Sequence, residues 1–350
     1  MIDGARLRQA REARGLTQKA LAELTGLPQP VVSRLEIGAR LLAGEDTQRV
    51  ADALEVPLRF LEHPPVLLPE GSLGLFRAAS SRVRSSEFTA ARRAAEIGAE
   101  AILRLAEGEP LPPVRLRVHR GVAVEEAARF AREALRLPPA EPIADLTNAL
   151  ERAGTLVLRL GGLSEHIAGF SAWLSAPDRP LVAARRPLGA FRLRFTLAHE
   201  LGHLVLGHQV FAGPRRPEER EANLFAGALL MPGEAAEEDL AAARLDLERL
   251  AELKGKWGLS MHAVALRARA LGHLEDAAYR SLYEGMRSRG WLRREPGDLA
   301  TRPEEPRLLR ELAERRGVRP DAYSLAETLD VGLPDARALL GEDDLSLTGF

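Results

Sequence analysis

Two histidines four positions apart carry the clearest chemistry in this chain. His199 and His203 lie in the segment 195–208, in the pattern His-Glu-x-x-His. Residues four apart share one face of an α-helix, so the two imidazoles can bind one Zn²⁺. Glu200 stands next to His199, where a carboxylate can take a proton from an attacking water molecule. The eight histidines and 50 acidic residues of this chain give roughly 0.03 such patterns by chance. The motif therefore predicts a zinc-dependent hydrolase, most simply a metallopeptidase.

A zinc site of this kind needs a third protein ligand and an open position. The next helical pattern, at 218–232, begins with the glutamates Glu218, Glu219 and Glu221. Glu219 is favoured because Asn223 follows one turn later on the same face, where its side-chain oxygen can accept the ring N–H of a liganding histidine. Glu221 is the second candidate, and Glu218 is expected to face solvent. The alternative is that all three form an exposed acidic helix start, which the helix dipole favours.

His208 follows His203 by five positions and comes directly after Gly207, at an expected helix end. The metzincin pattern places its third histidine six positions on, where this chain has Gln209. We therefore expect His208 to be a cation at a helix C-terminus or a wall of the site rather than a ligand. His208 and His166 are candidates for stabilising the oxyanion, and the sequence does not choose between them.

Composition limits the class of protein. A length of 350 residues predicts two or three domains. The net charge of −1 excludes a strongly basic protein, so any nucleic-acid binding must use a local patch. The absence of cysteine excludes disulfides and thiolate zinc sites and fits a reduced cytoplasm. No apolar signal segment or run of about 18 apolar residues is present, so we expect a cytoplasmic protein without a membrane partner.

The N-terminal segment 1–62 predicts five short helices. The second, at 18–24, and the third, at 28–37, are separated by a turn at Gly26, which is typical of a helix-turn-helix. The third would be the recognition helix, and dimeric binding to two DNA half-sites would be common for such a domain.

Four side chains are the candidate DNA contacts. Gln29, Ser33 and Arg34 should face outward from the recognition helix, where glutamine can pair with adenine and arginine with guanine or phosphate. Gln18 starts the preceding helix and is placed for a phosphate. The charge of 1–62 is balanced, with nine basic and nine acidic residues, so a protein-interaction module of the same fold is the alternative.

This segment resembles the Cro/repressor-type (XRE) helix-turn-helix family over about 60 residues. The matching residues are Arg14-Gly15-Leu16-Thr17-Gln18, Leu21-Ala22, Thr25-Gly26-Leu27 and Val32-Ser33-Arg34-Leu35-Glu36. One departure is Pro28, which stands where that family usually has a serine or threonine cap. Proline is tolerated in the first turn of a helix.

The rest of the chain predicts a mainly helical protein with a small antiparallel sheet. Helices are expected at 87–107, 124–135 and 240–254, and Ser260 is expected to cap another. Short strands are expected at 155–160, 169–174 and 180–183, just before the His-Glu-x-x-His helix. An exposed edge of that sheet could hold an extended peptide by strand addition. Gly161, Gly162 and Gly169 are interpreted as turn residues.

The segments 169–171, 195–203 and 219–232, and more weakly 257–272, are similar to ImmA/IrrE-type metallopeptidases. The resemblance implies a gluzincin-like fold (mainly α, with a small sheet, in the α+β class) and zinc held by His199, His203 and Glu219. It also implies a site-specific protease that cuts a transcriptional repressor and releases stress-response or mobile-element genes. The predicted domains are the helix-turn-helix at 1–63, a linker at 64–85, the peptidase domain at 86–275 and a helical C-terminal region at 276–350.

Three hypotheses about function follow. The first is a cytoplasmic zinc endopeptidase coupled to DNA binding, with a DNA operator and a repressor as partners and a homodimer as a possible assembly. The second is a DNA-binding transcriptional regulator whose peptidase-like domain senses a ligand or metal without proteolysis. The third is the antitoxin-like member of a toxin–antitoxin pair.

Overall fold

The computed structural model describes residues 1–42, 44–68, 84–175, 177–208, 216–241 and 245–342. The strands are β1 (Leu156–Leu160), β2 (Gly169–Ser175) and β3 (Asp178–Arg185). A short 3₁₀ helix spans Leu58–Glu62. The α-helices are α1 (Gly4–Ala13), α2 (Gln18–Thr25), α3 (Gln29–Glu36), α4 (Glu45–Ala53), α5 (Ser85–Leu105), α6 (Val124–Ala134), α7 (Leu146–Arg152), α8 (Ala190–Leu206), α9 (Arg216–Leu230), α10 (Gly233–Ala241), α11 (Leu247–Trp257), α12 (Met261–Ala270), α13 (Asp276–Ser288), α14 (Leu308–Arg315), α15 (Ala322–Leu329) and α16 (Leu333–Leu340). The mainly helical α+β class is confirmed.

The first four helices and the 3₁₀ helix form the predicted helix-turn-helix. The Thr17 side chain caps α2 by accepting the Ala20 N–H at 3.1 Å. Gly26 ends α2 with φ = 69°, a left-handed conformation that glycine adopts without steric cost. Val32 and Leu35 of α3 are buried as expected. Local capping and periodicity therefore determine this region.

The sheet is mixed rather than wholly antiparallel. β2 and β3 form the expected antiparallel hairpin, but β1 pairs with β3 in parallel, and the strand order is β1-β3-β2. Leu160 at the end of β1 and Gly169 at the start of β2 face consecutive residues of β3. The connection 161–168 joins β1 to β2 across one end of the sheet. β3 then lies between these two strands and runs parallel to β1.

The helix expected at 240–254 is two helices. α10 ends at Ala241, and α11 starts after Asp246, whose carboxylate accepts the Arg249 N–H at 2.9 Å. An aspartate cap of this kind stabilises a helix start and so defines a new boundary inside an amphipathic pattern. Ser260 caps α12 through the Ala263 N–H, as expected.

Two apolar cores hold these elements together. One contains Phe60 of the 3₁₀ helix, Ile102 of α5 and Leu312 of α14, together with one face of the sheet. The other lies around α8 and α9 and includes Leu197 and Phe225. The C-terminal helices α14–α16 therefore share a core with the helix-turn-helix and α5.

A buried polar cluster joins α1 to α5. Arg6 is 0% exposed and donates to both carboxylate oxygens of Glu100 at 2.7 Å. It also donates to the carbonyls of His63 and Pro64. Residues 64–68 of the predicted linker are thus held between α1 and α5, while 69–83 lie outside the described residues. The domain boundaries remain predictions.

Glu151 on α7 makes stability depend on pH. Its buried carboxylate accepts the N–H groups of Arg307 and Leu308 where α14 begins. Burial raises its pKa to about 7, from about 4.5. Because the pKa of Glu151 is higher in the folded than in the unfolded state, protonation of its carboxyl group favours folding. This contribution to stability is complete below about pH 4.5 and is lost as the pH rises through about 7.

We expect Glu151→Gln to remove that loss, which amounts to about 3 kcal/mol. Between about pH 5 and pH 8, the melting temperature of Glu151→Gln, followed by circular dichroism, should rise relative to that of the unmodified chain. The exposed Glu133 of α6 gives the control variant Glu133→Gln. Parallel curves for Glu151→Gln and the unmodified chain would contradict this account.

Candidate metal site

The long helix α8 carries the His-Glu-x-x-His pattern through the second core. Leu197, Leu201 and Leu204 are fully buried on one side of it. Helix α9 packs closely against α8 at Gly202, where a Cβ atom would lie 3.0 Å from Phe225 Cδ1. This close approach places the start of α9 beside the two histidines.

The three predicted ligands come together in the structure. The Nε2 atoms of His199 and His203 are 3.0 Å apart. The Glu219 carboxylate lies 3.4 Å from His199 Nε2 and 3.6 Å from His203 Nε2. The ligand atoms of the three residues are all within 4.8 Å of one another. Two histidines and a glutamate are the protein ligands of one type of catalytic zinc site.

Each of the two histidines has a partner at its Nδ1 atom, which orients the ring so that Nε2 faces the cluster. His199 Nδ1 lies 3.1 Å from Asn223 Oδ1, which is the contact expected for Asn223. Since a carbonyl oxygen only accepts, this contact favours a proton on Nδ1, and in the neutral ring it leaves the Nε2 lone pair free for a cation. Such a contact orients the ring and sets its tautomer.

A relay of two hydrogen bonds, from His203 through His208 to Glu221, supports the second candidate ligand. His203 Nδ1 lies 3.0 Å from His208 Nδ1, and His208 Nε2 lies 3.0 Å from Glu221 Oε2. The arrangement that frees His203 Nε2 has His203 donating to His208 and His208 donating to the Glu221 carboxylate. His208 is 4% exposed. Its two contacts make it a partner of a candidate ligand, a role that was not predicted because it depends on the position of Glu221.

The other candidates lie elsewhere. Glu221 contacts His208 rather than the three-residue cluster. Glu218 is 8% exposed, so the expectation that it faces solvent is wrong. It precedes the buried Ala222 by four positions and therefore shares the packed face of α9. His166 lies near Glu165, at 3.9 Å, and within the described residues it makes no hydrogen bond to the cluster.

Glu200 is buried beside the cluster, with 9% exposure. Its carboxylate accepts the hydroxyl hydrogen of Ser171 on β2 at 2.9 Å. Burial raises the pKa of Glu200 to about 7, and the neighbouring His199 and the Ser171 hydrogen bond partly oppose that rise. Ser171 was not predicted as a site residue. The available signal was that Ser171 is the one hydroxyl residue in the strand predicted at 169–174.

The two histidines differ in charge preference. Burial, with His199 and His208 nearby, lowers the pKa of His203 far below its ordinary value. Burial also opposes the charged form of His199, but the adjacent Glu219 and Glu200 outweigh it and raise the pKa of His199. At neutral pH His203 is therefore neutral, the form in which imidazole binds metal.

Gly169 brings β2 close to α8. It is the first residue of β2 rather than part of a turn, whereas Gly162 has the left-handed φ of a turn residue. A Cβ atom on Gly169 would lie 2.5 Å from Thr196 Cγ2 and 2.9 Å from the Ala183 carbonyl oxygen. The strand could not approach Glu200 as closely with a larger residue.

We expect Gly169→Ala to lower the free energy of unfolding by about 1–3 kcal/mol, because overpacking forces the strand away from α8. Urea unfolding measures the change. The matched control is Gly189→Ala, where a Cβ atom would meet nothing within 4 Å. Equal stabilities for the two variants would contradict the close-approach account.

The predicted DNA contacts lie together on α2 and α3. Gln29 and Arg34 are exposed and Ser33 is half-buried. Gln29 donates to the side-chain oxygen of Gln18 at 2.9 Å, and Gln18 donates to Glu36 at 2.9 Å. The structure therefore brings Gln18 and Gln29 together, and the contacts of all four residues with DNA remain predictions.

Comparison with known families gives two matches. Residues 7–61 match the family model described as Helix-turn-helix, and residues 150–269 match the model of a peptidase family described as IrrE N-terminal-like domain. All three residues of the candidate metal cluster lie in the second match. The matches support a DNA-binding regulator that carries a domain of a typically metal-dependent peptidase family. No curated protein matches the chain. None of the described helices is long and apolar enough to cross a membrane.

Proposed function

We propose that this chain, a fusion of an XRE-type helix-turn-helix domain with an IrrE-like peptidase domain, is a zinc-dependent endopeptidase that cleaves a repressor protein. Cleavage would release stress-response or mobile-element genes from repression. The observation that carries the proposal is the cluster of His199, His203 and Glu219 with Glu200 buried beside it. Because an operator and a repressor are both found in the cytoplasm, we propose that location as well.

The donor set fits Zn²⁺. Both Nε2 atoms can be free of hydrogen because Asn223 and His208 take the Nδ1 side of the two rings. His199, His203 and Glu219 would hold the ion and leave a position open. When bound, Zn²⁺ acts as a Lewis acid that polarises a carbonyl group and lowers the pKa of water.

Glu200 would perform the proton transfers. As a carboxylate it takes one proton from the water whose oxygen forms a bond to the peptide carbonyl carbon. As the C–N bond breaks, Glu200 gives that proton to the leaving nitrogen and returns to its carboxylate form. A pKa near 7 suits both roles, and the Ser171 hydroxyl keeps one oxygen of Glu200 in place.

The experiment that tests this function labels the new amino termini made in a protein mixture. A mixture incubated with the zinc-loaded full chain should yield termini that are absent after incubation with Glu200→Gln.

The operator is sought separately, by selecting DNA duplexes that bind the chain from a random library. The selected duplexes should bind Arg34→Ala more weakly than the unmodified chain. Selected DNA binding without any new termini would favour a regulator whose peptidase-like domain senses a ligand or metal instead.

His208 provides a test of how zinc is held. We expect His208→Ala to weaken zinc binding by about 10–100-fold, because His203 then loses the partner that orients its ring. Competition with a chromophoric chelator measures the affinity. His273, which pairs with Glu237 at 3.1 Å, gives the control His273→Ala. Unchanged affinity in His208→Ala would show that the relay does not support the ligand.

A further inference from the structure

A cavity of about 1630 Å³ adjoins the candidate metal site. It lies between the first turns of α8, the helices α9 and α12, and the segment 291–298. Glu219 and Asn223 form part of its wall, so it reaches the metal cluster directly. Pockets for small ligands usually measure about 300–1000 Å³, and this cavity therefore has room for a segment of polypeptide.

Arginine is the dominant charged residue of the cavity wall. Two of these arginines have carboxylate partners: Arg267 binds Glu125 through two contacts, and Arg269 lies 2.7 Å from Asp276. The complete set is Arg185, Arg192, Arg220, Arg267, Arg269 and Arg293.

The carboxylates of the wall do not balance the remaining arginines. Glu295 and Asp298 both bind the ammonium group of Lys254, and Glu295 also accepts the N–H of Met261. Glu219 belongs to the metal cluster. The acidic groups of the cavity are therefore already engaged.

Four arginines of the wall have no ion-pair partner among the residues that the structure describes, although Glu165 attracts Arg185 over a longer distance. Within the part of the chain that the structure describes, no carboxylate lies within 4.0 Å of Arg185, Arg192, Arg220 or Arg293. The half-buried Arg185 also has a buried Nε–H with no acceptor among those residues. Buried donors in native proteins normally have an acceptor, and a charged acceptor binds arginine best. Since the whole chain has a net charge of −1, the positive excess is local.

Apolar side chains also line the cavity. Leu266 on α12 is 39% exposed and Leu292 is 42% exposed, and both line the cavity. Phe195, Leu224 and Trp291 line it as well and are partly exposed. The wall thus offers both anion-binding and apolar surface, which is the combination that a peptide with acidic and apolar side chains would fit.

We propose that this cavity binds an acidic segment of the protein substrate, which contains Asp or Glu together with aliphatic or aromatic residues, next to the bond that is cut. Arg185, Arg192, Arg220 and Arg293 are the specificity-determining residues. The proposal rests on the peptidase function proposed above and adds the chemical class of the substrate. Nucleic acid is the other polyanion to consider. A duplex presents phosphates and base edges and has no side chains to cover the apolar wall, so the peptide is favoured.

Binding of a defined peptide tests the proposal. The protein is the full-length Glu200→Gln variant prepared with zinc, which should bind without cutting. The probe is a fluorescein-labelled peptide that alternates Glu and Asp with Leu and Phe, and its counterpart carries Gln and Asn instead. Fluorescence anisotropy should give an acidic-peptide Kd at least about tenfold lower than that of the neutral peptide, with the gap narrowing as salt is added.

Charge reversal in the wall identifies the residues responsible. Arg192 and Arg293 are exposed, so Arg192→Glu/Arg293→Glu should fold normally and weaken acidic-peptide binding by about tenfold or more. The matched control is Arg152→Glu, an exposed arginine on α7 away from the cavity, which should bind within about twofold of the parent. Circular dichroism confirms that the three proteins share one fold.

Three results would overturn the proposal. The first is equal affinity for the acidic and neutral peptides, and the second is equal weakening by Arg152→Glu. The third is an oligonucleotide that binds more tightly than the peptide and loses its affinity in the double variant, which would assign the cavity to nucleic acid. Anisotropy measures binding and not cleavage. Selective loss of acidic-peptide affinity in the double variant therefore supports the proposed substrate class even where no cleavage is detected. New termini at non-acidic sites, with equal peptide affinities, would overturn the class and leave the peptidase function standing.

Discussion

Replacement of Glu200 by glutamine should reduce the rate of peptide cleavage by about 10²–10⁴-fold while leaving zinc content unchanged. Glutamine has nearly the same shape, and its amide oxygen can still accept the Ser171 hydroxyl, which lies 2.9 Å from Glu200. It cannot take a proton from water at neutral pH. The loss would therefore come from proton transfer rather than from a change in folding or metal binding.

The comparison that isolates this effect uses a peptide excised from the sequence around an identified cleavage site. Single-turnover rates are measured for the unmodified chain, Glu200→Gln and Ser171→Ala, with zinc determined on the same samples. Ser171→Ala retains the carboxylate and removes only its hydrogen bond, so it should lose far less activity. Cleavage by Glu200→Gln at the unmodified rate would show that Glu200 is not the base.

The second large effect concerns stability. Glu100→Ala should lower the free energy of unfolding by about 3–5 kcal/mol, because it leaves a buried arginine without its counter-ion. Arg6 is 0% exposed and donates to both oxygens of Glu100 at 2.7 Å. This pair connects the helix-turn-helix to α5, so its loss should also loosen that contact.

Urea unfolding measures the change in Glu100→Ala. The double variant Arg6→Met/Glu100→Leu removes both charges and should recover most of the lost stability, since apolar replacements of a buried pair are often neutral. Glu107→Ala, at an exposed position just beyond α5, is the control. A loss below about 1 kcal/mol in Glu100→Ala would indicate that Arg6 is not truly desolvated.

The features that the sequence predicted are local ones. The caps at Thr17 and Ser260 and the spacing of His199 and His203 each depend on residues within one or two helical turns. Such patterns specify helix boundaries and faces directly. The choice of Glu219 over its neighbours also used a local relation, its distance of four positions from Asn223.

The features that the sequence did not predict depend on packing between distant segments. The parallel pairing of β1 with β3 depends on the path of a connecting loop. The contact between Ser171 and Glu200 joins a strand to a helix 29 positions away. The four cavity arginines that have no ion-pair partner among the described residues come from separate elements that meet only in the folded chain. Glu218 was misplaced although its spacing from Ala222 indicated a packed face.

The measurement that tests the central claim most directly is metal content by mass spectrometry, on protein purified without added metal. The unmodified chain and Glu238→Ala, an exposed carboxylate on α10, should each carry about one zinc per chain. Glu219→Ala should carry almost none, because only two of the three ligands remain. An unmodified chain that holds no metal, and binds none when zinc is supplied, would contradict the metallopeptidase account and leave DNA-binding regulation as the function.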